Sequence, residues 1–137
     1  MRKRSLARTY VLQILYQVDI TREDPFCSQH SFWDNMEEQV EADIKEFAEK
    51  LAKGVLANLS EIDLKISQYA SNWNINRMSV VDRNILRLGC FELLFCEDIP
   101  PKVTINEAVE LAKKYSGIEA GKFVNGILDK IKTEKYS

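Results

Sequence analysis

The stretch from Ser79 to Cys96 reads SVVDRNILRLGCFELLFC. Its apolar residues (Val80, Val81, Ile85, Leu86, Leu88, Cys90, Phe91, Leu93, Leu94 and Phe95) lie all round a helical wheel. A helix of that kind is buried on most sides, so the fold is expected to be assembled around it. Ser79 with Asp82 three residues on is a helix start signal, and Pro100-Pro101 lies beyond the far end as a stop. Glu92 shares the side of Val81, Ile85 and Leu88. A bare carboxylate there would cost several kcal/mol on the order of a buried unpaired charge, so it needs a partner. One reading is a catalytic acid. The favoured one is a structural partner, Arg77 or free backbone N–H groups at a helix start, because no second acid or base is placed with Glu92.

Outward from this segment the helical period recurs. Ala7, Tyr10, Val11, Ile14, Leu15 and Val18 form one buried stripe, with Leu12 and Tyr16 on the opposite side, against a second element or a partner. Asp24, Pro25 and Ser28 mark a loop, and residues 26–36 carry at most a short helix. Residues 41–59, with Ile44, Phe47, Ala48, Leu51, Ala52, Val55, Leu56 and Leu59, make the clearest amphipathic helix. Ser60 is the expected cap of a following helix bearing Ile62, Ile66, Tyr69 and Ala70. Asn72, Asn74 and Asn76 around Trp73 form a break, the expected boundary between halves 1–75 and 76–137 of one unit. Thr104 and Glu107 read as a capping box for a helix that Gly117 ends, and residues 120–133 form the last helix, with Phe123, Val124, Ile127, Leu128 and Ile131 inward. The expectation is an all-α fold of about six or seven helices.

Charge is unevenly placed. The net charge of −2 is uninformative, but residues 1–18 carry Arg2, Lys3, Arg4 and Arg8 with no acid, while residues 19–63 carry twelve acids against four bases. A basic N-terminal arm on an acidic chain suggests local contact with a polyanion, or else a solubilising terminus. No apolar stretch approaches the roughly 20 residues that span a bilayer; the start is basic, but the apolar residues that follow are interrupted by Gln13 and Gln17 and no small-residue cleavage site appears, so a cytoplasmic protein without membrane contact is expected. Cys27, Cys90 and Cys96 are odd in number and form no CxxC, which argues for buried free thiols rather than disulfides or zinc. His30 stands alone, and no phosphate-binding glycine loop or metal-ligand spacing is present, so neither an enzyme nor a cofactor or metal is expected.

The segment Lys122-Phe123-Val124-Asn125-Gly126 interrupts a good apolar period with two poor helix formers. Gly inside a helix costs roughly 1 kcal/mol against Ala, so a close backbone approach or a contact by Asn125 should offset it. Phe123 lies at the stripe edge beside Gly126 and Lys130, with Lys122 further round. It reads either as core packing or as a base-stacking aromatic with lysines for phosphates.

The run Ile99 to Tyr115 (IPPKVTINEAVELAKKY) followed by Lys122 to Asp129 (KFVNGILD) resembles the C-terminal signature of the NusB family. Trp73, Arg77-Met78, Val81-Asp82-Arg83, Ile85 to Leu88, Ala7-Arg8, Leu12-Gln13 and Leu15-Tyr16 are also similar to it. The resemblance covers essentially the whole chain and is loose between about 20 and 60. It implies two fused antiparallel helical bundles and a factor that binds the boxA element of nascent ribosomal RNA transcripts. It implies NusE, also a small-subunit ribosomal protein, as partner within an antitermination complex on RNA polymerase. The family's RNA-contacting arm corresponds to Arg2, Lys3, Arg4 and Arg8, with Ser5 and Leu6 at positions that can be basic in other members. RNA near the signature carries over to Lys122 and Phe123, and the NusE surface to Tyr16, Asp82 and Arg83. Two other classes stand beside this one. A protein–protein adaptor would reach RNA only through its partner. An RNA-modifying enzyme is suggested because NusB-like domains occur fused to RNA methyltransferases, but a chain ending at Ser137 leaves no room for a cofactor-binding domain.

Overall fold

The computed structural model describes residues 2–70 and 74–136, so Asn72 and Trp73 lie outside it. The described residues form seven α-helices and no strand: α1 Lys3–Thr21, α2 Pro25–Asp34, α3 Ala42–Ala57, α4 Leu59–Tyr69, α5 Val80–Phe95, α6 Pro101–Tyr115 and α7 Ile118–Tyr136. A 3₁₀ turn, Ile75–Arg77, precedes α5. As its all-round apolar pattern requires, α5 is central, packing against α1, α3, α4, α6 and α7. Ile85, Leu86, Leu88, Cys90, Phe91 and Leu93 are buried. Both ends of α5 are closed. At its start the Ser79 hydroxyl accepts from the Asp82 N–H. At its end Lys135 of α7 donates to the carbonyls of Leu93 and Leu94, which have no partner within the helix.

Two glycines allow close crossings. A Cβ on Gly54 of α3 would stand 2.1 Å from the Phe91 ring, and one on Gly89 of α5 would stand 2.7 Å from Leu128 of α7. Only a missing side chain lets these helices approach so closely.

Several boundaries differ from the sequence reading. The cap of α4 is Asn58, and Ser60 lies inside a helix that follows α3 almost without a break. Pro101 occupies the first turn of α6, where its fixed φ starts the helix and its missing N–H costs nothing. Thr104 is therefore interior rather than a cap, and its hydroxyl is used elsewhere. Pro25 acts in the same way, so residues read as a loop open the ten-residue helix α2. Gly117 ends α6 at φ +112°, as expected of a glycine in the left-handed region. Cys90 and Cys96 are buried, and burial pushes the Cys90 thiol up to about 12, but Cys27 is exposed. No helix among the described residues is long and apolar enough to cross a membrane.

Candidate nucleic-acid interface

The partner of Glu92 is Arg8. The guanidinium donates to both carboxylate oxygens, Nε to Oε2 at 2.8 Å and Nη2 to Oε1 at 2.7 Å. The Thr104 hydroxyl donates to Oε1 at 2.9 Å. Glu107 approaches Arg8 at 3.5 Å and accepts from the Ser5 hydroxyl. Glu92 thus has a structural partner, but that partner is Arg8 and not Arg77. This corrects the place of Arg8 among the phosphate contacts: its side chain is 2 % exposed and both edges of its fork are engaged, so it ties α1 to α5 and α6 rather than facing solvent. A bidentate buried pair is the geometry in which the attraction offsets desolvation.

The rest of the arm is exposed but not bare. Lys3 lies 2.9 Å from Glu41 and 3.0 Å from Asp43, which hold its ammonium above its ordinary pKa, while Lys3 in turn draws Asp43 below its own. The Arg4 guanidinium sits over the Phe47 ring, 4.4 Å from its centroid, and reaches to 4.0 Å from Asp98. Arg2 is exposed. Lys3, Arg4, Asp43, Ile44 and Phe47 line a cleft of about 260 Å³.

At the other end of α5, Asp19 accepts from both Nε and Nη2 of Arg83 at 2.7 Å, and from Asn84 and Arg87. Arg87 also grips Asp63 of α4 through two hydrogen bonds. Burial alone would push the Asp19 carboxyl up, but hydrogen bonds from Arg83 and Asn84, with the charges of Arg87 and Arg83, hold it below its ordinary value. Arg83, expected on the partner surface, is therefore folded onto Asp19 and is only 13 % exposed.

Arg8 meets Glu92 and Asp19 meets Arg83, so α1 and α5 run antiparallel. From Arg4 to the level of Asp19 is about 22 Å at the helical rise per residue. Phe123 belongs to the Asp19 end. It is partly buried, packs against the core, and lines a cleft of about 370 Å³ with Arg77, Met78, Ser79, Asp82, Ser116, Glu119 and Ala120. Phe123 and Asp82 thus share one cleft, with Lys122 exposed next to it in sequence and 3.5 Å from Glu119. Tyr16 is 43 % exposed. Ile20, one turn further along α1, is 52 % exposed and extends the same strip. Phe47 occupies a position in the core stripe of α3, yet its ring also faces the start of α1 under Arg4. Gly126 meets no close neighbour: a Cβ there would find nothing within 4 Å, so the expected close approach within the chain is absent.

Comparison with known proteins adds to this geometry. The model of the NusB family matches residues 5–133. The transcription antitermination protein NusB of Thermodesulfovibrio yellowstonii is 45 % identical, across 97 % of this chain and 93 % of that protein. Its counterpart in Pelotomaculum thermopropionicum is 48 % identical, across 93 % of this chain and 88 % of its own. Among solved structures, T. maritima NusB superposes with a TM-score of 0.86 at 45 % identity, covering 96 % of this chain and 91 % of that one. The NusB fold also appears in the crystal structure of antitermination factors NusB and NusE in complex with dsRNA, at a TM-score of 0.87, 34 % identity and 98 % coverage of both chains.

Proposed function

This chain belongs to the NusB family, and on that premise we propose that it is a transcription antitermination factor that binds boxA-type RNA of nascent ribosomal RNA transcripts together with NusE. It acts by binding rather than by catalysis, in the cytoplasm, as part of an antitermination complex on RNA polymerase. The observation that carries the RNA reading is that exposed cations stand at both ends of the α1–α5 axis, on α1 at one end and on α7 at the other. Arg2, Lys3 and Arg4 are exposed at one end, and Lys122 stands beside the Phe123 cleft at the other. An RNA touching both must run at least about 22 Å along the α1–α5 axis. Tyr16 and Asp82 are the partner-facing residues, with Arg83 acting through its hold on Asp19. Ile20 adds apolar area to the Tyr16 strip.

The test is titration of short boxA-like and scrambled RNAs with and without NusE. Deleting residues 1–4 removes three cations and should weaken binding while leaving the fold intact. With roughly three to five phosphate contacts on single-stranded RNA, log affinity against log salt should slope at about −2 to −3.5. Phe123→Leu should cost roughly 1–3 kcal/mol of RNA affinity, and Lys122→Ala should weaken binding without touching stability. A flat salt response together with parent-like binding by Phe123→Leu would refute the RNA reading and leave an adaptor that reaches RNA only through NusE.

A further inference from the structure

The cleft between the starts of α1 and α3 has the parts of a nucleotide site, and they are already occupied from within. Phe47 offers an aromatic ring, partly buried among the core residues. Over that ring lies the Arg4 guanidinium at 4.4 Å, with Arg8 behind at 5.7 Å. A flat cation on an aromatic face takes the position that a stacked base would take. Lys3, the neighbouring cation, is held by the carboxylates of Glu41 and Asp43, which present acceptor oxygens as a phosphate would. Arg4 has its own acid in Asp98. Lys3 and Arg4 of the arm therefore each have an internal stand-in for one part of a nucleotide.

We propose that this cleft is a nucleotide subsite for single-stranded RNA. A base stacks on Phe47 in place of Arg4, and Lys3 and Arg4 turn from Glu41, Asp43 and Asp98 to the phosphates on either side. The inference rests on the RNA reading above and adds to it a second stacking position, in a cleft separate from that of Phe123. The internal pairs are solvent-exposed, with both Lys3 and its acids more than half accessible, so they are weak and exchange readily for a polyanion. Their physical effect is to lower affinity for phosphate alone. An RNA gains full binding only if it also supplies the base that replaces Arg4 on the ring.

The experiment uses the full chain, alone and with NusE, and single-stranded 12-mers carrying 2-aminopurine at successive positions. Glu41→Gln with Asp43→Asn should tighten RNA binding roughly three- to tenfold at low salt, an advantage that shrinks as salt screens exposed charges. Phe47→Leu should weaken binding roughly five- to fiftyfold and abolish the fluorescence quenching that the parent shows at one 2-aminopurine position. Urea melting of the same samples reports whether Phe47→Leu is folded. The double acid variant alters only exposed groups and tests the site independently. Unchanged affinity in the acid variant, or parent-like quenching in folded Phe47→Leu, overturns the subsite. If the deletion of residues 1–4 still weakens binding in that case, the subsite alone falls. If that deletion changes nothing, the RNA reading of the arm falls with it.

Discussion

Gly126 lies on an exposed turn of α7 where a methyl group would meet nothing within the chain. A helix interior pays for such a glycine in backbone entropy, so Gly126→Ala should raise stability by about 0.5–1 kcal/mol, read as a higher urea midpoint at unchanged slope. Asn125, beside it, is exposed as well. A residue that weakens the free protein and packs against nothing in it makes sense if RNA backbone approaches that face of α7. Gly126→Ala should then bind RNA less tightly although it is more stable. Equal affinity in the stabilised variant would show that RNA does not come close to this turn. Arg8 teaches the complementary lesson. It looks like its neighbours in the arm, yet its position on the buried side of α1 delivers it to Glu92. A glutamate on an apolar face asks for a cation, and only three-dimensional proximity decides which one answers.

At the scale of elements, α1, α4 and α5 are clasped by Asp19, Asp63, Arg83, Asn84 and Arg87. Asp19 is the shared acceptor of that network, and it is mostly enclosed. Asp19→Asn leaves Arg83 and Arg87 facing a neutral amide, so the variant should lose about 2–4 kcal/mol at neutral pH. The pH dependence has a definite sign. The carboxyl of Asp19 is held below its unfolded value, so its contribution is complete above that value and fades as pH falls through the lower folded one. The stability gap between parent and Asp19→Asn should therefore be widest near neutrality and close in acid. Urea melts at several pH values measure it, and a gap that stays constant into acid would show that the charge of Asp19 contributes nothing.

For the whole molecule, helices from both halves of the chain are interleaved around α5. Lys65 of α4 meets Glu134 of α7 at 2.8 Å, and α1 is joined to α5 at both ends. We propose that the halves 1–75 and 76–137 fold as one cooperative unit. Far-ultraviolet circular dichroism and tryptophan fluorescence should then give coincident urea transitions. Two separated transitions would mark the halves as independent domains. The distribution of charge follows the same geometry. Lys3 stands beside Glu41 and Asp43 near the start of α3, so one cation of the basic terminus is paired with the acidic middle of the sequence, while Arg4 and Arg8 turn to acids of the second half.

What the sequence determined by itself is whatever depends on local period and on residues with strong backbone preferences. The all-helical fold, the central place of α5, the cap at Ser79 and the stop at Gly117 follow from spacing, a hydroxyl in the right place and a residue that tolerates positive φ. These are properties of a few consecutive residues, and a helix repeats every turn whatever surrounds it. Only the tertiary structure decided the rest. Arg8 and Glu92 are 84 residues apart, and Lys3 and Asp43 are 40 apart. No periodicity reports which cation reaches which carboxylate across such distances. The same is true of Phe47, whose place in the stripe of α3 is that of an ordinary core residue until the start of α1 is laid across it. A side chain's polarity can be read from its letter, but its availability depends on what the folded chain puts beside it.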